Sequence, residues 1–533
     1  MEPIQDEDEA NRGVDRRTWV RGALSRRGFL IGAGLAGVGA VAAATYASHD
    51  AISGALTRTA AHPGASAGPR PSASSSSVAA APPALPDRTF VSTHLTTPRV
   101  TSWATSPTAA GLIFAGPMGH GSNGLILDSH AEPVWMEPTG AGVTDLRVQT
   151  FEGRPVLTYW TGTGIGGHGQ GTGTILDTSY TMVAQVNAGN GLKADLHEFS
   201  LTAAGTALMI SYPTVPHDLR PVGGPTKGFI YDCHVQEINV RSGEMLFDWS
   251  AADHIDIADT YKLPADDNAS ADGSTEARAF DPFHLNSVDD AGDALLVSSR
   301  HTHTLYLLNR ADGAIRWRLG GKLSDFAVAS DAAFAWQHDA RHRSGTLISL
   351  FDNHYSAGNT GASRGLLLSV NEAARTVSLQ QEFSHAGHRG NSQGNVQILD
   401  DGHVLVGWGS DPAATEFTPD GRALFETTGL GNASYRTYRC PWTASPTTLP
   451  DAAVLTGNGS TMQVYASWNG ATETAAWRFM TGSSKESLTE AGTVPRRGFE
   501  TSAAVAVAAK VAVQALHRDG SVLATSNVLT VQH

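Results

Sequence analysis

Along residues 100–430 the chain repeats one pattern: a short apolar run, a turn carrying Asp or Gly, then a second apolar run, often ending in an aromatic residue. The pattern appears as GLILDSHAEPVWM (124–136), TILDTSYTMVAQV (174–186), VQEINVRSGEMLFDW (235–249), LYLLNRADGAIRWRL (305–319), LLLSVNEAARTVSLQQEF (366–383) and TEFTPDGRALFE (415–426). Asp-Gly and Ser-Gly between alternating apolar positions signal hairpins, because glycine supplies the backbone conformation a tight turn needs. A partner strand pair lies before each hairpin, as in FSLTAAGTALMISY (199–212), LNSVDDAGDALLVSS (285–299), SGTLISLFDN (344–353) and NVQILDDGHVLVGWG (395–409). Each unit is therefore four strands. Successive outer hairpins start roughly 50–70 residues apart, within reach of propeller blades with some long loops. The predicted fold is all-β, a six-bladed β-propeller, since closing a ring removes exposed strand edges. A large β-sandwich is the alternative, and six similar units fit a ring better.

After YRCPW (438–442) and a Pro/Thr-rich join the pattern changes. Residues 450–533 alternate like the strands of a small β-sandwich of fibronectin III or immunoglobulin type, with Asp519-Gly520 at a hairpin. Trp468 and Trp477 are read as core. The propeller then occupies residues 88–445.

The N-terminal segment reads differently. Residues 25–30, SRRGFL, precede IGAGLAGVGAVAAATYA, the pattern of a twin-arginine export signal, and residues 1–47 are assigned to it. This predicts passage through the twin-arginine translocase to a secreted or cell-envelope location. Small-x-small cleavage sites near Ala44 and Ala47 are imperfect, so an uncleaved membrane tether stays open. Residues 48–87, rich in Ser, Ala and Pro, read as a disordered linker that cannot bury enough apolar surface to offset its ordering entropy.

Composition narrows the function. With 41% hydrophobic and 17% charged residues the body is globular, and a net charge of -14 leaves no basic face for nucleic acid. Two cysteines, Cys233 and Cys440, exclude a disulfide framework and a cysteine-rich metal site; one long-range bridge and two buried thiols both remain open.

Candidate chemistry lies in the histidines. One stands just before the first strand in three successive units: His197 in DLHEFSLTAAG, His284 in DPFHLNSVDDAG and His338 in WQHDARHRSG. The fourth such position, EFSHAGHRGNSQGNVQIL, carries His385 and His388. A single histidine at a strand start is ordinarily a satisfied turn or core residue. In a propeller, however, the loops before the innermost strands crowd the mouth of the central channel, so histidines in register converge there. His301, His303, His342, His354 and His403 are read as surface residues outside that set. A zinc site needs three or four ligands, and His301-Thr302-His303 lacks a third, so no metal is predicted. Neutral imidazole is a competent nucleophile toward a sulfuryl or phosphoryl group, and arginine suits the transferring oxygens. Arg300, Arg341 and Arg364 lie near these histidines in sequence.

The stretch FHLNSVDDAGDALLVSSRHTHTLYLLNRADGAIRWRLGGK, followed by FAWQHDARHRSGTLISLFDN, resembles the core signature of the arylsulfate sulfotransferase family, in its actinobacterial and fungal-type branch. DLHEFSLTAAGTAL and GNVQILDDGHVLVGWG extend the resemblance to roughly residues 90–445, and the C-terminal sandwich is similar to the small domain appended in that branch. The resemblance implies a six-bladed propeller that moves a sulfuryl group from a phenolic sulfate ester to a phenolic acceptor, without a nucleotide sulfate or any cofactor. It implies a ping-pong route through a sulfohistidine. His284 matches the histidine of the family's HxN motif and His338 that of its QH motif, both placed to contact the sulfuryl group or manage the phenol proton. The nucleophile falls in a later blade, at His385 or His388, with His388 preferred. Arg364 is the candidate for the arginine that follows FDN, and His197, Asn286, Arg300 and Asn353 are expected to bind substrate.

Two other readings stay open. One is a non-catalytic propeller that binds aryl sulfates, glycans or an envelope partner; the other is an aryl sulfate hydrolase in which water replaces the acceptor. A Ser-centred nucleophile elbow needs a strand-to-helix turn, and neither that nor a P-loop is read in this all-β pattern.

Overall fold

The computed structural model describes residues 86–120, 123–267, 270–353, 362–456 and 459–531. The export segment and nearly all of the linker fall outside them. Among the described residues the chain is all-β, its helical elements being short 3₁₀ turns, and no helix is long and apolar enough to cross a membrane.

All six outer hairpins predicted from the apolar pattern form. They belong to six sheets, each built on four antiparallel strands. The sheet at the middle of the chain is typical: Leu285–Asp290, Ala294–Ser299, Thr304–Asn309 and Ile315–Gly320 pair in sequence order. Its second strand, ALLVSS, is buried at every position, because both faces of a middle strand pack against neighbouring sheets. Packing runs in cyclic order. Ser434–Cys440 packs on Val143–Phe151, which packs on Phe199–Leu201; Thr206–Ser211 packs on Leu285–Asp290, and that strand on His338–His342. Leu347–Asp352 then meets Asn395–Ile398, and Val404–Gly407 returns to Ser434–Cys440.

The N-terminal sheet departs from the sequence reading, which gives every unit its own four consecutive strands. Leu112–Pro117, Leu125–Leu127 and Pro133–Met136 are completed by Ser434–Cys440, the last strand before the join, antiparallel to Leu112–Pro117. Thr101–Ala104 likewise adds to the outer edge of the sheet of residues 395–428. The two ends of the ring are thus held by backbone hydrogen bonds, and the edge of Leu112–Pro117 is covered.

The innermost strands of four sheets begin with a register shift, at Thr144/Arg147, Leu285/Ser287, His338/Arg341 and Ser434/Thr437. Such bulges re-aim side chains. Here the residues they carry, Asp145, Asn286, Asp339 and Arg436, are all buried.

Residues 451–530 form two further sheets. One contains Asp451–Thr456, Thr461–Ser467 and Thr501–Ala506, and the other is built around Ala476–Gly482 and Lys510–Leu516. They share a core with Trp468, Trp477, Phe479 and Val513, so both tryptophans are core residues. Asn469 accepts from the Met136 amide and donates to the Met136 carbonyl, both at 2.8 Å, which seats this unit on the N-terminal sheet. Cys233 and Cys440 are free and buried in separate clusters, which removes the disulfide alternative.

Candidate active site

Two of the register histidines are fixed by the same local device. In ADLH, the Asp195 carboxylate accepts both the His197 backbone N–H at 2.9 Å and the ring Nδ1–H at 2.5 Å. In DPFH, Asp281 accepts the His284 backbone N–H at 3.0 Å and its Nδ1–H at 2.6 Å. His284 has φ +51°, a left-handed conformation, and the double grip of Asp281 holds it there. His338 is oriented from the next strand instead. Its Nδ1 lies 2.6 Å from Asn353 Oδ1, and the Asn353 amide is in turn spent on the Gly390 and Gln393 carbonyls.

With Nδ1–H donated in each ring, Nε2 carries the lone pair. One ring nitrogen from each of His197, His284 and His338 lies within 4.8 Å of the other two. The His197 Nε2 is buried with no hydrogen-bond partner. That of His338 accepts the Gln393 amide at 3.2 Å. His284 is the least buried of the three, 6% exposed against 0% for His197 and 1% for His338.

Two of the three, His284 and His338, are electrostatically set for neutral rings. Burial, then the charges at His197, Arg300 and His338, hold the His284 pKa well below the ordinary imidazole value. Burial and then Arg300 do the same to His338. His301 and His168 are also pushed down by burial. His301 and His303 are 2% and 5% exposed and therefore buried, a correction to the sequence reading. The His301 ring is 4.7 Å from that of His284, and its Nε2 takes a 3.1 Å contact from the Arg300 guanidinium. That guanidinium lies 4.9 Å over the Trp336 ring and reaches the Asn391 carbonyl at 3.2 Å.

A closed charge network lies beside the histidines. Arg436 binds Asp145 at 2.9 Å, Glu198 at 3.2 Å and the Asn286 carbonyl at 2.9 Å. Arg341 binds Glu198 and Asp339, each at 2.7 Å, and Arg147 binds Glu198 at 2.9 Å. Burial alone would raise the Glu198 pKa, but Arg341, Arg436 and Arg147 hold it at about 2. The bulged residues Asp145, Asp339 and Arg436 are members of this network, which ties together four sheets.

The structure therefore brings His197, His284, His338, Asn286, Arg300 and Asn353 together. Asn286 donates to the Gln337 carbonyl at 2.7 Å, leaving its buried Oδ1 without a partner. Arg364 is elsewhere, bound to Asp352 at 3.1 Å, Glu382 at 2.7 Å and the Ala333 carbonyl. His385 and His388 also stand apart. Their rings contact each other, Trp408 and Phe417. His388 spends both nitrogens, on Asp411 and Glu426 at 2.9 Å each, and the Asp411 hydrogen bond heads the causes that raise its pKa. A ring bonded on both sides has no lone pair to attack with.

Beyond the register histidines, the sequence reading left out Asp195, Asp281, His168, Tyr212, Gln393 and Arg436. The two aspartates had a signal, an Asp two or three residues before the histidine in both DLH and DPFH. His168 had none: it lies on Tyr212, ring centroids 4.7 Å apart, and lines a cavity of about 270 Å³ with Tyr231 and Glu276. The His197–His284–His338 set, and equally His168, Asp281 and His284, present donors close enough to hold a metal ion.

A buried set of imidazoles, two backed by a carboxylate and one by an amide, inside a ring of four-stranded sheets defines a candidate catalytic centre of the group-transfer kind. The family model described as arylsulfotransferase (ASST) matches residues 147–429, more than half of the chain, and the chain belongs to that family. No curated protein matches it. Among solved structures, a protein of unknown function from Bacteroides caccae is 10% identical over 62% of this chain and 98% of its own, with a TM-score of 0.37. Catalytically inactive virginiamycin B lyase from Staphylococcus aureus is 8% identical over 69% of this chain and 96% of its own, with a TM-score of 0.32. Scores this low support no functional inference.

Proposed function

We propose that this chain transfers a sulfuryl group from an aryl sulfate to a phenol, with His284 as the residue that carries the group between them. The observation that supports this assignment most is the His284 ring itself: neutral, held by Asp281 through Nδ1, and the least buried member of the trio. In the first half-reaction the Nε2 lone pair attacks sulfur, the S–O bond to the phenolate breaks, and an N–S bond forms. Asp281 balances the positive charge of the sulfated ring. Arg300, which already acts electrostatically on His284, faces the transferring oxygens. In the second half-reaction a phenol attacks sulfur and the N–S bond breaks. The open Nε2 of His197 takes the proton of that phenol and releases it to solvent, where it balances the phenolate freed in the first half-reaction, so no proton is gained or lost over the cycle.

The six cyclic sheets are read as the blades of a β-propeller and the last two as a β-sandwich. Export through the twin-arginine translocase, with release or retention at the envelope, belongs to the same reading and rests on the SRRGFL segment alone.

The test is nitrophenolate release from 4-nitrophenyl sulfate, with and without phenol, in wild type, His284→Ala and His388→Ala. Release that requires phenol, is lost in His284→Ala and survives in His388→Ala supports the assignment. Release surviving in His284→Ala would remove the role given to His284. Equal release without phenol would make the protein a hydrolase, and none from several aryl sulfates would make it a binding module.

A further inference from the structure

His385 and His388, which the catalytic reading leaves unused, form a second constellation with Glu426. One ligand-type atom from each lies within 4.8 Å of the other two. His388 Nε2 is 2.9 Å and His385 Nδ1 is 3.5 Å from the same Glu426 oxygen, Oε2. Ligand atoms bound tetrahedrally at ~2.0 Å lie about 3.3 Å apart, so these separations need only small adjustments to enclose an ion. The His385 Nδ1 makes no hydrogen bond and is buried.

The surroundings are those of a supported metal site. His388 already places its Nδ1–H on Asp411, the carboxylate–histidine arrangement of a metal ligand, and an ion would displace the proton that Nε2 shares with Glu426. Glu426 is oriented through both oxygens, by Trp103 Nε1 at 3.2 Å and the Thr415 hydroxyl at 3.3 Å. The His388 ring stacks on Trp408, centroids 5.3 Å apart. Two carboxylates around two imidazoles give the site negative charge. Partial exposure of His385 gives the ion a route in.

We propose that His385, His388 and Glu426 bind a divalent cation of the zinc class, with water completing the shell and Asp411 orienting His388. The consequence reaches the catalytic cluster through the backbone. The same loop supplies the Gly390 carbonyl to Asn353 and the Gln393 amide to His338, so an ion at its start braces the residues that orient His338.

The experiment titrates Co²⁺ into chelator-treated full-length protein and follows the visible absorption of the bound ion, with Zn²⁺ as competitor. Wild type is expected to bind one equivalent with this signature. His385→Ala and Glu426→Gln should each weaken binding at least 10-fold, Asp411→Asn by about 10-fold, and His197→Ala should leave it unchanged. Saturating Zn²⁺ should raise the melting temperature of wild type and not that of His385→Ala. Equal affinity in wild type, His385→Ala and Glu426→Gln would overturn the proposal. So would a loss confined to His197→Ala, which would place the ion on the buried trio.

Discussion

Asp281 grips His284 twice, through its backbone N–H at 3.0 Å and its ring Nδ1 at 2.6 Å, and so sets both where the imidazole stands and which nitrogen faces out. The same carboxylate lies 4.0 Å from the His168 ring, and its backbone carbonyl accepts the His301 Nδ1–H at 2.7 Å. One aspartate thus organises three histidines.

Asp281→Asn should keep the fold and lose the ring orientation. We expect turnover of 4-nitrophenyl sulfate to fall by about 10²- to 10⁴-fold, with the melting temperature nearly unchanged, because an amide has one accepting oxygen where Asp281 uses two and carries no charge to balance a charged ring. Steady-state rates beside thermal melts check both halves of that expectation.

The pH dependence follows from the direction of the shifts. His284, His338, His301 and His168 all have folded pKa values below the ordinary imidazole value, chiefly through burial. The unfolded chain therefore binds more protons once pH falls below ~6.5, and each such group costs up to ~1.4 kcal/mol of stability per pH unit until its folded pKa is reached. Stability should be full above neutrality and decline between pH 6.5 and 5 in chemical denaturation. The acid limb of kcat/KM should lie below the usual imidazole range.

Glu198 neutralises three guanidiniums at once, so removing it strands buried positive charge. Glu198→Leu is expected to destabilise the protein by about 3–5 kcal/mol, measured as a shift of the urea midpoint. The combined Glu198→Leu, Arg436→Met variant should recover part of that loss.

Ring closure depends on Ser434–Cys440 covering the edge of Leu112–Pro117. A chain ending before Ser434 should aggregate on refolding, since it leaves both an open strand edge and the apolar partners of Tyr438 and Cys440 exposed. Size-exclusion chromatography of the truncated and full chains distinguishes the outcomes.

Burial raises the thiol pKa of both Cys233 and Cys440. Neither should react with a thiol reagent in the native protein, and both should react once denatured, which a two-stage titration measures.

The local pattern was enough to place most of the strands, and the reason is physical. ALLVSS or LYLLN can be buried only as strands, and turns such as Ala311-Asp312-Gly313 can be made only where the chain reverses. The in-register histidines were legible for the same reason, since equivalent positions in repeated units occupy equivalent places. Asp195 and Asp281 were within reach, as they act over two and three residues.

What the sequence could not supply were relations between distant segments. That Ser434–Cys440 completes the N-terminal sheet depends on a pairing across more than 300 residues, which no local periodicity encodes. Glu198 meets Arg341 and Arg436 only because bulges in separate strands turn those residues toward one another. His385 and His388 look in sequence like His284, yet Asp411 and Glu426 hold them outside the trio. The sequence by itself determined the strands, the turns and the histidines available for chemistry. Only the tertiary structure decided which imidazoles remain neutral and open, because burial sets that for His284, and the carboxylates of Asp411 and Glu426 for His388, and these come from other parts of the chain.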